Sequence, residues 1–186
     1  MAQFTKKAIT DTFLELLNEK RLDRITVKDI VAKCGVSRKT FYYYFDDIYD
    51  LLEKCLEDLK QESIPKIEDI SSFEAELLRL AEFVMNNKKA VYHIYNSVSR
   101  DKLEDYLYES AMPVISKTMS ARLEKSLYSK KDIEIVSMVC ANAFTGCILR
   151  WIKDGMTADF DYTLKRIAAL IEDSLDSAIK RAEDKQ

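Results

Sequence analysis

Only five of the 186 residues are glycine or proline, and they stand far apart, at Gly35, Pro65, Pro113, Gly146 and Gly155. An antiparallel sandwich or barrel needs turn chemistry about every 8–12 residues. This chain has too few turn formers to supply it, while Leu, Lys, Glu, Ala and Ile fill the long stretches between breakers. Residues of that kind sustain helices, so the expected fold class is all-α. With 47% hydrophobic residues the chain can bury a core of ordinary size.

Near the start, Ala8, Ile9, Thr12, Phe13, Leu16 and Leu17 recur at helical spacing, and the pattern lapses around Lys20–Arg24. That spacing predicts one amphipathic helix. Thr26 followed by Asp29 has the spacing of a capping box, with Asp in place of the longer Glu, and Val27, Ile30 and Val31 then face inward. The second helix should end at Gly35, which can take a positive φ and turn the chain sharply. Ser37 follows, placed to accept from the amides that open a third helix. Two short helices joined by a glycine-containing turn make a helix-turn-helix.

The third helix carries "SRKTFYYYF", residues 37–45. With Phe41 at its buried centre, steps of about 100° per residue bring Ser37, Tyr44 and Phe45 beside Phe41. The same steps put Lys39 and Tyr43 nearly opposite, with Thr40 and Tyr42 on the flanks. An exposed tyrosine can lay its ring along a sugar and donate its hydroxyl to a phosphate; it can equally cover the start of the following helix. Charge is distributed unevenly. Residues 1–45 hold nine Lys/Arg and five Asp/Glu, a net of +4, which leaves −7 for the rest of a chain whose total is −3. A basic head on an acidic body suits a protein that meets phosphate with one end only.

Beyond the head, Ile48, Leu51, Leu52, Cys55, Leu56 and Leu59 continue a longer helix that fades into "QESIPKIEDISS". Pro65 marks the domain boundary. The expected division is a helix-turn-helix domain over 1–47 with a linking helix over 48–63, then a second domain over 64–186. In that second domain the pattern predicts a helix from Phe73, opened by Ser71 with Glu74, and a shorter one over 90–97. A long helix interrupted or kinked at Pro113 follows, then two more over roughly 131–153 and 160–181, with Gly155 as the stop between them.

Cys34, Cys55, Cys140 and Cys147 have no CxxC spacing, and a single histidine cannot complete a zinc site with them, so no metal is expected and the cysteines read as small buried hydrophobes. No nucleophile with its base, paired carboxylates or phosphate loop is apparent, so neither catalytic residues nor a cofactor are expected. The amphipathic N-terminus and the lack of an uninterrupted apolar stretch of membrane-spanning length predict a cytoplasmic, reduced protein with no membrane partner.

The stretch "TVKDIVAKCGVSRKTFYYYFDDIYDLL", residues 26–52, resembles the DNA-binding region of TetR-type bacterial transcriptional regulators. The likeness covers roughly residues 5–52. It rests on an ordered set: Thr26 opening the second helix, a buried Ile30 and Ala32, Gly35-Val36-Ser37 at the turn, Thr40-Phe41-Tyr42, and Tyr44-Phe45. It implies that helix 37–45 enters the major groove. Arg38, Lys39, Thr40 and Tyr43 would then lie nearest the bases and Thr26, Tyr42 and Tyr44 nearer the phosphates, with Lys28 and Ser37 completing the contact set. Ile48 stands where the family usually places a lysine on the phosphate backbone. That implies a salt dependence shallower by roughly one unit of slope.

The C-terminal part resembles the family in plan only, as a helical ligand-binding and dimerisation bundle. Val136, Cys140, Phe144 and Cys147, then Leu164, Ile167, Ile171 and Leu175, form apolar stripes on the last two helices. Such stripes can pack inside one subunit or form a four-helix dimer bundle, and the resemblance implies the homodimer. Small Ala141, Ala143 and Gly146 would permit close helix approach. Two reading heads then address a near-palindromic operator. A mostly apolar pocket is expected from Phe83, Tyr92, His93, Tyr95, Asn96, Tyr106, Met112, Met119 and Trp151, with Met85 nearby; these residues could also be ordinary helix residues. The resulting expectation is a homodimeric repressor released by an unnamed small apolar or aromatic effector. Two alternatives remain open: an activator with a protein or metabolite co-activator, and a helical dimer that only binds partners.

Overall fold

The computed structural model describes residues 2–63, 73–123, 128–157 and 159–183. Among these the chain forms nine α-helices and no strand: α1 (Ala2–Glu19), α2 (Val27–Cys34), α3 (Arg38–Tyr44), α4 (Ile48–Ser63), α5 (Phe73–Asn86), α6 (Lys88–Tyr95), α7 (Arg100–Leu123), α8 (Lys130–Lys153) and α9 (Phe160–Glu183). A 3-10 turn, Leu22–Arg24, links α1 to α2. Pro65 and Ser71, expected to mark a boundary and open a helix, lie outside the described residues.

Local chemistry at the element ends sets the head. The Thr26–Asp29 capping box forms in full and opens α2. Gly35 closes that helix at φ 73°, a conformation in which a side chain would be strained. The Ser37 hydroxyl then accepts from the Thr40 amide at 3.0 Å and opens α3. Packing does the rest, with Ile9, Phe13, Leu17, Leu22, Ile30, Phe41, Phe45, Leu51 and Leu52 buried almost completely. Each such side chain contributes about 1.5–3 kcal/mol through burial. Ala32, expected inside, is exposed, because on the eight-residue α2 the apolar side facing the core is met by Ile30.

The chain divides into two compact units, one of Met1–Ser63 with Asn86–Tyr106, the other of Ile64–Met85 with Leu107–Gln186. The expected division put everything beyond residue 64 in the second domain; by contacts within the chain, 86–106 group with the first unit. Helix α6 packs on α1, burying Ala90, Val91 and Ile94. His93 Nδ1 lies 2.6 Å from the carbonyl oxygen of Leu17, near the C-terminal end of α1. Farther along the first unit, Lys102 pairs with Glu53 at 3.2 Å.

In the second unit Leu77, Ala81, Val84, Ala111, Val114, Ile115, Met119, Phe144, Ile148 and Ile152 are buried. Trp151 stacks on Phe160 with ring centroids 4.4 Å apart. The expected interruption at Pro113 does not occur: α7 is one continuous helix, and Pro113 sits exposed on it. Helix α8 opens on a second capping box, Ser129 with Asp132. By length and composition α8 is apolar enough to cross a membrane, contrary to the reading of the sequence, and half of its apolar window is buried inside the protein.

Candidate nucleic-acid interface

Nine cations crowd the first 45 residues, but the structure sorts them into two groups. Lys6 pairs with Asp58, Lys7 with Asp11, Lys20 with Asp29, Arg21 with Asp23, and Lys33 with both Glu15 and Glu19. Arg24, Lys28, Arg38 and Lys39 are exposed and make no ion pair with any described residue. All four fall within the stretch from the 3-10 turn to the first turn of α3. Exposed cations without a protein partner keep their full charge available for an anion, and the guanidinium can take phosphate oxygens in pairs. Arg24 was not singled out in the sequence. Its signal was available only as a cation just before a helix cap, since nothing in the sequence distinguishes it from the paired Arg21.

The three tyrosines of α3 divide by exposure. Tyr43 is 79% exposed and Tyr42 56%, while Tyr44 is half-buried. Tyr43 meets Tyr44 edge-on at 4.9 Å, and Tyr42 meets Phe41 in the same way at 5.4 Å. These contacts hold the rings in place, so ordering them on a ligand costs less entropy than for free side chains. Phe41 anchors the opposite side of the helix with no exposed surface.

The hydroxyls differ in what they can still do. Thr26 Oγ1 lies 2.8 Å from Asp29 Oδ2 and accepts from the Asp29 amide at 3.2 Å. Hydrogen bonds from Lys20 and from the Thr26 hydroxyl and amide hold the Asp29 carboxyl down to about 2. Asp29 is therefore an acceptor only, and the single Thr26 proton is committed to it. A phosphate at Thr26 would have to displace that bond beside a carboxylate. Ser37 and Thr40 share one hydrogen bond at 2.8 Å, which leaves one of their two protons for an outside acceptor. Ile48 is half-buried at the start of α4, where Asp47 Oδ1 accepts from the amides of Tyr49 and Asp50 at 2.7 and 2.8 Å.

The residues expected to line a pocket are not gathered in either described cavity. Tyr92, His93, Tyr95, Asn96 and Tyr106 belong to the first unit, and Phe83, Met112, Met119 and Trp151 to the second. Several already have partners within the protein: His93 faces the Leu17 carbonyl, Asn96 donates to the Tyr92 carbonyl at 2.8 Å, and Arg100 lies over the Tyr95 ring. Met119 and Trp151 are core residues, and the Phe83 side chain lies outside what is described. One cavity of about 560 Å³ is lined by Ser116, Lys117, Ser120, Tyr128, Lys130 and Glu134 among others. A smaller one of about 330 Å³ is lined by Leu78, Glu82, Met85 and Asp161. Inside the second unit, the hydroxyls of Ser110 and Thr145 are buried without a hydrogen-bond partner.

The stripes expected to meet a second subunit are largely spent within the chain. Cys140, Phe144 and Leu164 are buried, and Val136, Cys147, Ile167 and Ile171 half-buried. Leu175 has no described side-chain surroundings. Ala141 is likewise fully buried, whereas Ala143 and Gly146 are exposed. The most apolar stripe of each helix is the one its own subunit covers first. A different apolar stripe of α8 remains uncovered: Ile135 (48% exposed), Met138 (45%) and Val139 (58%), continuing through Ala143 and Gly146. On α9, Tyr162 and Leu170 are similarly exposed.

Comparison with known proteins adds to this geometry. Residues 9–55 match the family model of bacterial regulatory proteins of the tetR family, and residues 71–173 match a model described as a transcriptional regulator C-terminal region. The HTH-type dhaKLM operon transcriptional activator DhaS of Lactococcus lactis subsp. lactis (strain IL1403) is 27% identical over 146 residues, 78% of this chain and 76% of that protein. An uncharacterized HTH-type transcriptional regulator of Bacillus subtilis (strain 168), YxbF, is 31% identical over 61 residues, 33% of this chain but 16% of that protein's length. Among solved structures, the dihydroxyacetone kinase operon activator DhaS superposes with a TM-score of 0.71 at 23% identity, covering 96% of this chain and 97% of that one. At that identity the superposition speaks for the fold alone.

Proposed function

The chain belongs to the TetR family of bacterial transcriptional regulators, and from that premise we propose that it works as a homodimer whose two α3 helices read a near-palindromic operator. The observation that carries the reading is the face of α2 and α3, where the exposed, unpaired Lys28, Arg38 and Lys39 accompany exposed Tyr42 and Tyr43. Arg38, Lys39, Thr40 and Tyr43 face the bases. Lys28, Ser37, Tyr42 and Tyr44 meet the backbone, joined by Arg24, and Thr26 serves chiefly as the cap that aims α2. The partner subunit packs on the uncovered stripes of α8 and α9, around Val139 and Leu170.

Regulation follows from the dimer. An effector that changes the spacing of the two heads changes operator affinity without touching DNA. In the first reading the protein is a repressor that such an effector releases. A second reading, activation, is favoured by the similarity to an operon activator over 78% of the chain.

The test starts from a randomised duplex pool, from which the full-length protein enriches its own sites. Wild type is expected to bind the enriched duplex more tightly than random duplex, with affinity falling as salt rises. Tyr43→Ala should weaken the enriched duplex by about 1–3 kcal/mol with unchanged thermal stability, read by fluorescence anisotropy. No enrichment at any salt concentration would refute the DNA reading. Transcription from a promoter carrying the enriched site, with and without the protein, separates repression from activation.

A further inference from the structure

The last carbonyls of a helix have no donor within it, and a cation near them is favoured by the helix dipole. At the end of α3 that position is filled from another helix. Lys54, two turns into α4, donates from Nζ to the carbonyl oxygen of Tyr44 at 3.1 Å. The same ammonium donates to Asp50 Oδ2 at 2.8 Å and lies 5.4 Å from the centroid of the Phe45 ring. Asp50 Oδ2 in turn accepts from the Asp46 amide at 2.9 Å. One ammonium and one carboxylate therefore join the end of α3, the connection through residues 45–47, and the first two turns of α4.

We infer that Lys54 is a positioning residue for DNA recognition, setting the orientation of α3 through the Tyr44 carbonyl without itself touching the duplex. The inference rests on the DNA reading proposed above. Three observations support a clamp rather than an incidental surface pair. The backbone on which it acts is already fixed on its inner side, because Phe41 and Phe45 are buried. What Lys54 adds is a restraint at the outer end of the helix, at the residue that follows Tyr43. Its anionic partner is largely covered, the Asp50 side chain being 25% exposed against 44% for Lys54. Burial alone would raise the Asp50 carboxyl, yet bonds from Lys54 and the Asp46 amide bring it below the usual carboxylate range. Without Lys54, Asp46, Asp47 and Asp50 would stand together beside α3 with no cation bonded to Asp50, and the Tyr44 carbonyl would lose this donor.

A positioning role and a phosphate contact leave different marks. A residue that only aims α3 supports binding to the right sequence and leaves the salt slope alone, whereas a phosphate contact supports all sequences and lowers the slope by roughly one unit when removed. The experiment measures full-length wild type, Lys54→Met, Lys54→Arg and Asp50→Asn against the enriched and a random duplex across a salt series, with thermal melting alongside. Lys54→Met is expected to lose about tenfold or more on the enriched duplex, the scale of a hydrogen bond to a charged group. Random-duplex affinity and salt slope should stay at the wild-type values, and Lys54→Arg, which keeps the cation and its donors, should recover most of the loss. Asp50→Asn, which leaves the bond to Tyr44 available, is expected to fall between wild type and Lys54→Met. Equal discrimination in wild type and Lys54→Met would overturn the inference. So would a parallel loss on both duplexes with a shallower slope, which would make Lys54 a phosphate contact. If Lys54→Met melts early, the folded Asp50→Asn decides: wild-type discrimination there overturns the clamp. A wild type that enriches nothing removes the DNA reading and this inference together, an outcome distinct from the others.

Discussion

The head and the second unit are both helical, but their geometry is specified differently. In the head, short helices are set end to end by polar side chains acting over two or three residues: Thr26 with Asp29, Ser37 with Thr40, Asp47 with the amides of α4. In the second unit, the 24-residue helices α8 and α9 place apolar stripes on more than one side, and a stripe is assigned to the core only when its neighbours arrive. Local polar chemistry can be read from adjacent letters; the choice between two apolar faces cannot.

The largest effect is expected in the core of the second unit. Phe144→Ala removes a side chain that is 3% exposed and should cost about 3–5 kcal/mol of stability in urea unfolding. If Phe144 instead served the contact between subunits, the loss would appear mainly as dissociation. Val139→Asp reverses that pattern. It puts a charge on an exposed apolar face and is expected to weaken self-association by about 2–5 kcal/mol, measured by sedimentation, with the subunit still folded. A dimer indifferent to Val139→Asp would remove α8 from the interface.

Substitutions in the head are expected to have smaller effects. Thr26→Ala deletes the cap of α2 and should lower stability by about 1 kcal/mol. Its DNA affinity should fall through the aim of α2 rather than through a lost phosphate bond, so the salt slope should hold. Acid gives the smallest and most specific signal. The Asp29 carboxyl sits at about 2 in the folded head, below the unfolded value of about 3.9. The folded state therefore binds this proton less readily than the unfolded chain. Its stabilisation is complete above about pH 4 and is lost as pH falls toward 2. The acid-induced drop in melting temperature should shrink in Asp29→Asn, and an identical drop would show the cap to be indifferent to that charge.

Much of the fold was legible because helix starts and stops depend on neighbouring residues. The capping box at Thr26, the left-handed Gly35 and the N-cap at Ser37 stand where spacing put them. Partition of the tyrosines was legible too, since a 100° step from Phe41 separates Tyr43 from Tyr44 without knowledge of any neighbour. What spacing does not record has a common origin in contacts between distant residues. Cys140, Phe144 and Leu164 belong to strong apolar stripes that suit a partner surface or a core, and within this chain they are buried. His93 was read as a possible pocket group, yet it faces the carbonyl of Leu17, 76 positions away in the chain. Helix α6 follows residue 64 in the chain, and its packing on α1 is a contact that local spacing does not show.

Letters alone determined the helical class, the ends of the head's helices and the basic bias of the first 45 residues, because propensity, capping and charge act over one or two turns. Tertiary structure decided which cations stay unpaired, which apolar stripe is left uncovered, and that Lys54 reaches back to the Tyr44 carbonyl. Those outcomes depend on which distant groups arrive within 4 Å of one another, and helical periodicity carries no record of that.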